Sequence, residues 1–96
     1  MISLEWTLVA EKKECSGGEI KKGRLTAVDD CGMKCKGVAS MFAYGTNDFG
    51  KNRCYDDGCE CLCETAATDE QTCNIVDHKG YRLYKFPHGD YSICHK

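Results

Sequence analysis

Cys59-Glu60-Cys61-Leu62-Cys63, read together with Thr26-Ala27-Val28-Asp29-Asp30-Cys31-Gly32-Met33-Lys34-Cys35-Lys36-Gly37, decides the fold. The second stretch reads as a helix over 26–37. Thr26 with Asp29 fits a helix-start signal, Asp29 and Asp30 suit the positive end of the helix dipole, and Gly37 is a suitable C-terminal cap. Cys31 and Cys35 are one helical turn apart, so they share a face and point the same way. That is poor geometry for bonding each other, and both should reach to another element. In an extended segment Cys59, Cys61 and Cys63 also share a face, with neighbours about 6.7 Å apart. The helical spacing of about 6 Å matches this strand spacing. The simplest solution crosslinks helix to strand. A nested arrangement, Cys31 with Cys63 and Cys35 with Cys61, is the expectation, although eight cysteines allow about a hundred pairings.

The wider cysteine count supports disulfides. Nine cysteines in 96 residues is the density of a disulfide scaffold, which points to a secreted or otherwise extracellular setting. A chain this short closes one domain, here 1–96, with a core at about 5–86 and a tail at 87–96. Its 42% hydrophobic content supports only a modest core, so bridges make up the stability that burial lacks. A zinc site would normally use two tight Cys-x-x-Cys pairs, and thioredoxin-like chemistry needs one such pair at a helix start. The sequence contains no Cys-x-x-Cys. Neither a metal nor another cofactor is expected.

Charge and hydropathy narrow the partners. Thirteen Lys and Arg against fifteen Asp and Glu leave a net charge of −2. Without a basic stripe, nucleic acid is not an expected partner. Apolar runs fall short of the roughly 20 residues that span a bilayer. Met1–Trp6 has neither the basic start nor the apolar stretch of a signal peptide. The chain is therefore read as a mature chain or excised domain, with Met1 as an expression start.

The remaining elements are strands and turns. Trp6–Ala10 and Gly80–Phe86 read as the best strands, with Ser40–Tyr44 and Cys59–Cys63 between them. Alternation puts Tyr81, Leu83 and Lys85 on one face of the last strand and Arg82, Tyr84 and Phe86 on the other. Cys15-Ser16-Gly17-Gly18 and Asp56-Asp57-Gly58 read as turns, and Thr65–Thr72 as a polar connection. Trp6 is assigned to the core. The expected class is α+β: a small disulfide-rich domain, a curved antiparallel sheet with one helix packed on it.

The order of these signals resembles the PAN/apple domain family, and specifically its divergent invertebrate members. The residues that carry the resemblance are Glu14-Cys15, the helical Cys31-x-x-x-Cys35 five residues after Thr26, Met41-Phe42-Ala43-Tyr44, the cysteine-bearing strand and Tyr81-Arg82-Leu83-Tyr84. The match runs over about 5–86. It implies a helix pinned by disulfides to a sheet, and a non-enzymatic domain that binds extracellular protein or carbohydrate. Apple domains carry a cysteine just before the aromatic strand, bonded to the second helix cysteine; here that stretch is Val38-Ala39-Ser40. The matched region holds Cys15, Cys31, Cys35, Cys54, Cys59, Cys61, Cys63 and Cys73, enough for internal bridges. Cys94 lies beyond it and is the candidate for an interchain bond, giving a disulfide-linked homodimer, or a free thiol. The alternative, from the terminal pairing of apple domains, joins Cys94 to Cys15.

Candidate binding residues are Arg82 and Tyr84 on the last strand and Tyr91 in the tail, because Tyr and Arg dominate interface hot spots. The same face of the strand is equally suited to the core. His78, His88 and His95 lie in loops and read as surface residues. Ser3, Ser16, Ser40 and Ser92 lack any nucleophile motif, and Asp56-Asp57-Gly58 lacks the further ligands of a calcium loop. The functional expectation is a secreted recognition or adhesion module. A toxin or defence protein, or a structural matrix component, are the alternatives.

Overall fold

Six strands and two helices make up the computed structural model, which describes residues 6–67 and 70–87. In chain order they are β1 (Thr7–Cys15), β2 (Ile20–Leu25), α1 (Val28–Cys35), β3 (Met41–Gly45), β4 (Cys54–Tyr55), β5 (Gly58–Cys63), α2 (Glu70–Cys73) and β6 (Ile75–Lys85). The strands form one antiparallel sheet in the order β1-β6-β3-β5-β2, with β4 paired to β5 beside it. The protein is a small disulfide-rich α+β domain.

Alternation along the central strands builds two apolar clusters, one on each face of the sheet. Phe42 on β3, Cys61 and Cys63 on β5 and Phe86 just past β6 face α1, where Cys31 and Cys35 are fully buried. Trp6 closes this side, edge-on to Phe42 at 5.8 Å and to Phe86 at 6.2 Å. Met41, Ala43, Leu62, Tyr81 and Leu83 point the other way and meet Cys15, Ala67 and Cys73. Both faces of the middle strands are thus covered, which is why their residues are apolar in near-continuous runs.

Four disulfides fasten this arrangement: Cys15–Cys73, Cys31–Cys61, Cys35–Cys63 and Cys54–Cys59. The helix is joined to β5, but the nested pairing expected from spacing is wrong. The reason is chain direction. β2 runs antiparallel to β5, and the chain reverses at Thr26-Ala27 before entering α1. The helix therefore runs in the same sense as β5, and the earlier helix cysteine meets the earlier strand cysteine. β2 itself was not expected; its Ile-Lys-Lys-Gly-Arg-Leu sequence carries no alternation, and it lies mostly exposed at the sheet edge. Cys15 bonds Cys73, which excludes the Cys15–Cys94 alternative. With eight of nine cysteines used, Cys94 has no cysteine left to bond within its own chain. Cys94, Tyr91, His88 and His95 lie outside the described residues.

Other local expectations shift in detail. The N-cap of α1 is Ala27, in extended conformation and without a side-chain cap. Thr26 Oγ1 instead donates to Asp30 Oδ2 at 3.3 Å. Gly37 follows the helix at φ 82°, the left-handed conformation that ends helices. The first strand extends past Ala10 to Cys15 through two register shifts, and the last begins at Ile75 rather than Gly80. The stretch expected as a polar connection contains the buried Ala67 and the start of α2.

Candidate functional site

Arg82 projects from β6 toward the loop between β3 and β4. Its Nη2 donates to Asp48 Oδ2 at 2.7 Å and its Nη1 to Thr46 Oγ1 at 3.3 Å. Asp48 N–H in turn donates to Thr46 Oγ1 at 3.1 Å. This short network holds the loop against the sheet, and the guanidinium keeps the Asp48 carboxyl below its usual range. Glu11 on β1 stands at 4.0 Å from Arg82 Nε. Phe49, at the next position of the loop, lies between two cations: Arg82 at 5.0 Å and Lys12 at 5.3 Å from the ring centre. Lys12 reaches this place because a register shift in β1 sets it at φ 62°. The result is a partly exposed aromatic ring flanked by Lys12 and Arg82.

Tyr84 stands two residues further along β6, on the same face as Arg82. Its ring stacks on Phe42 at 5.0 Å and 11° and belongs to the border of the helix-side cluster. Arg82 and Tyr84 thus share one face of β6 and lie close enough for the guanidinium to act on the phenol, with Arg82 organising the β3–β4 loop and Tyr84 packing against Phe42. Phe49 and Lys12, which complete the surface around Arg82, carried no motif that sequence reading could have used.

A second group of polar residues gathers on the face opposite the helix. Tyr81 donates to Glu60 Oε1 at 2.6 Å, and Tyr55 to Glu60 Oε2 at 3.4 Å. Burial, and next the Glu60 carboxylate, push the Tyr81 phenol well above its usual range. The Arg53 guanidinium lies 5.8 Å from the Tyr81 ring. Arg24 stacks on Tyr55 at 3.8 Å while pairing with Asp57 at 3.2 Å, so Asp56-Asp57 forms the tip of the β4–β5 hairpin. His78 packs edge-on against Tyr81 and accepts a hydrogen bond from Gly80 N–H at 3.0 Å through Nδ1. Burial and then Arg53 lower its pKa.

Near His78 three carboxylates converge. Glu64, just after β5, is fully buried. Its Oε2 accepts from Cys15 N–H at 3.1 Å, while its Oε1 has no hydrogen-bond partner among the described residues. One oxygen each from Glu14, Glu19 and Glu64 lie within 4.8 Å of one another. Burial is the main reason that the Glu64 carboxyl is pushed up to about 8, and the neighbouring carboxylates add to it. The other close group of potential ligands, Cys31, Cys35 and Cys61, consists of disulfide sulfurs, which offer no thiolate to a metal.

No family model, no curated protein and no solved structure matches this chain. Among the described residues no helix is long and apolar enough to cross a membrane.

Proposed function

We propose that the protein is a secreted, non-enzymatic recognition module of PAN/apple-like type, engaging an extracellular protein or glycan through the surface around Phe49. The observation that carries this reading is the placement of Phe49 between Lys12 and Arg82 on a loop tied to the sheet by Asp48 and Thr46. A rigid aromatic ring beside cationic donors supplies contact area and directional hydrogen bonds at low ordering cost. The four disulfides suit an oxidising extracellular setting. A Cys94-linked homodimer would present two such surfaces and raise avidity.

The test uses oxidised protein on a glycan array and in pull-downs from extracellular extract, alongside Phe49→Ala and Arg82→Ala. The expected result is a bound glycan or protein whose affinity falls at least tenfold in both variants, with unchanged circular dichroism. Silence in both assays overturns the reading; binding that survives both substitutions removes this surface from it.

A further inference from the structure

We propose that Glu14, Glu19 and Glu64 form a binding site for a single divalent cation of the calcium type, each supplying one carboxylate oxygen. The inference stands apart from the recognition reading and uses different residues.

Three observations carry it. First, the oxygen spacing fits the ion. The three oxygens lie within 4.8 Å of one another. Calcium takes oxygens at about 2.3–2.6 Å in a flexible shell, whereas magnesium demands a near-ideal octahedron at about 2.0–2.1 Å, so a loosely spaced trio of carboxylate oxygens suits the larger, more adaptable ion. Three protein oxygens leave further positions of a calcium shell to water, and Glu14 and Glu19 are partly exposed.

Second, Glu64 is fully buried, yet its Oε1 meets no donor among the described residues. A buried polar atom without a partner is costly and calls for an explanation. Its close neighbours are two more acceptors, which deepen the need for positive charge. One proton can bridge Glu64 and Glu19, but it leaves Glu14 with only His78 at 3.9 Å and the Arg53 charge to offset it. A dication serves all three.

Third, the ligands are held before any ion arrives. Glu64 is oriented by the Cys15 N–H. Glu14 precedes Cys15, whose disulfide to Cys73 anchors the end of β1. Glu19 follows the Ser16-Gly17-Gly18 turn. That turn is fastened to the segment after Glu64 by Ala66 N–H donating to Gly18 O at 3.1 Å. It is tied to the start of β6 by Ser16 N–H donating to Asn74 O at 3.1 Å. The cluster therefore joins the β1–β2 turn to the end of β5, and an ion would crosslink them. The nearby cationic groups are His78, whose Nε2 lies 3.9 Å from Glu14 Oε2, and Arg53. Their presence points to the weaker, roughly 0.1–1 mM range found in extracellular calcium modules.

Calcium titration of the oxidised, chelator-stripped protein by isothermal calorimetry, with melting temperature followed in parallel, tests the site. Glu64→Gln retains a carbonyl for the Cys15 N–H, and Glu19→Gln alters a partly exposed ligand. The expected result is saturable one-site binding with a calcium-dependent rise in melting temperature. Affinity should drop at least tenfold in each variant, and magnesium should be the poorer ligand. If Glu64→Gln fails to fold, Glu19→Gln decides. The proposal is overturned by no heat and no shift at about 10 mM calcium, which would mean that a shared proton alone serves the cluster. Equal binding by wild type and Glu19→Gln overturns it too.

Discussion

Trp6 lies directly on Gly32: a Cβ added to this glycine would fall 2.7 Å from the indole ring. Gly32 is buried between Cys31 and Cys35, on the helix face that the disulfides draw toward the sheet. Helix, sheet and the segment before β1 meet at this one position. Gly32→Ala gains roughly 1 kcal/mol in helix propensity and loses about 1–3 kcal/mol to overpacking. We expect net destabilisation of about 1 kcal/mol in denaturant unfolding, with a changed near-ultraviolet signal from Trp6. In a Trp6→Ala background the same substitution should turn neutral or stabilising. A stabilised Gly32→Ala single variant would show that the indole does not occupy this place.

The pairing Cys31–Cys61 and Cys35–Cys63 is open to direct chemical test. Proteolysis without reductant, followed by mass spectrometry with fragmentation between the paired cysteines, should return these two bonds and no Cys31–Cys63 species. The bridges should also rank by loop length. Removing Cys35–Cys63, which spans 28 residues, should cost about 3–4 kcal/mol, and removing Cys54–Cys59, which spans 5, about 2 kcal/mol. A reversed ranking would mean that native contacts, not chain entropy, dominate.

Cys94 can be followed by intact mass after thiol blocking. Four bonds make the oxidised chain eight hydrogens lighter than the reduced one. A monomer carrying one blocked thiol would show that Cys94 is free. A species of twice the mass that collapses on reduction would establish the covalent dimer. Nine blocked thiols would contradict the disulfide framework itself.

Glu64 makes stability depend on pH. Its carboxyl titrates near 4.5 when unfolded and at about 8 in the fold. The folded state holds the proton more tightly, so this contribution is fully present below pH 4.5 and is lost as pH rises through about 8. The slope is at most about 1.4 kcal/mol per pH unit. Glu14, also raised by burial, acts in the same direction, and His78, lowered by burial, acts against it. The difference between wild type and Glu64→Gln isolates the residue. In chelator, wild type should lose stability relative to the variant between pH 5 and 8, read by urea unfolding. A flat difference would refute the raised value.

The helix-to-strand staple was legible because two regular spacings, four residues on a helix and two on a strand, can be matched without knowing the fold. Its direction was not, because that depends on β2, whose Lys21, Lys22 and Gly23 give no hydrophobic pattern. Tyr81 and Leu83 fell on one face and Tyr84 and Phe86 on the other, as alternation requires. Phe49 and the three glutamates could not be found in this way. Glu14 and Glu19 flank the turn between β1 and β2, and Glu64 reaches them only through the β2–β5 pairing that sets Ile20 opposite Cys63. The Cys-x-x-Cys and calcium-loop patterns weighed from sequence detect ligands close in the chain, not ligands joined by the fold.

Three of the four disulfides pass through the six residues of β5. Oxidation therefore acts as a proofreader during folding. If β5 docks one residue out of step, all three of its sulfurs turn to the opposite face. Cys31–Cys61 and Cys35–Cys63 can then not close, whereas Cys54–Cys59, local to the β4–β5 hairpin, still can, so the helix stays unstapled and free to try again. A slip of two residues is the dangerous error, since it restores the face and offers Cys59 to Cys31 and Cys61 to Cys35. That isomer would strand Cys54 and Cys63 as thiols. It is the misfolded form that an oxidative refolding mixture should accumulate first.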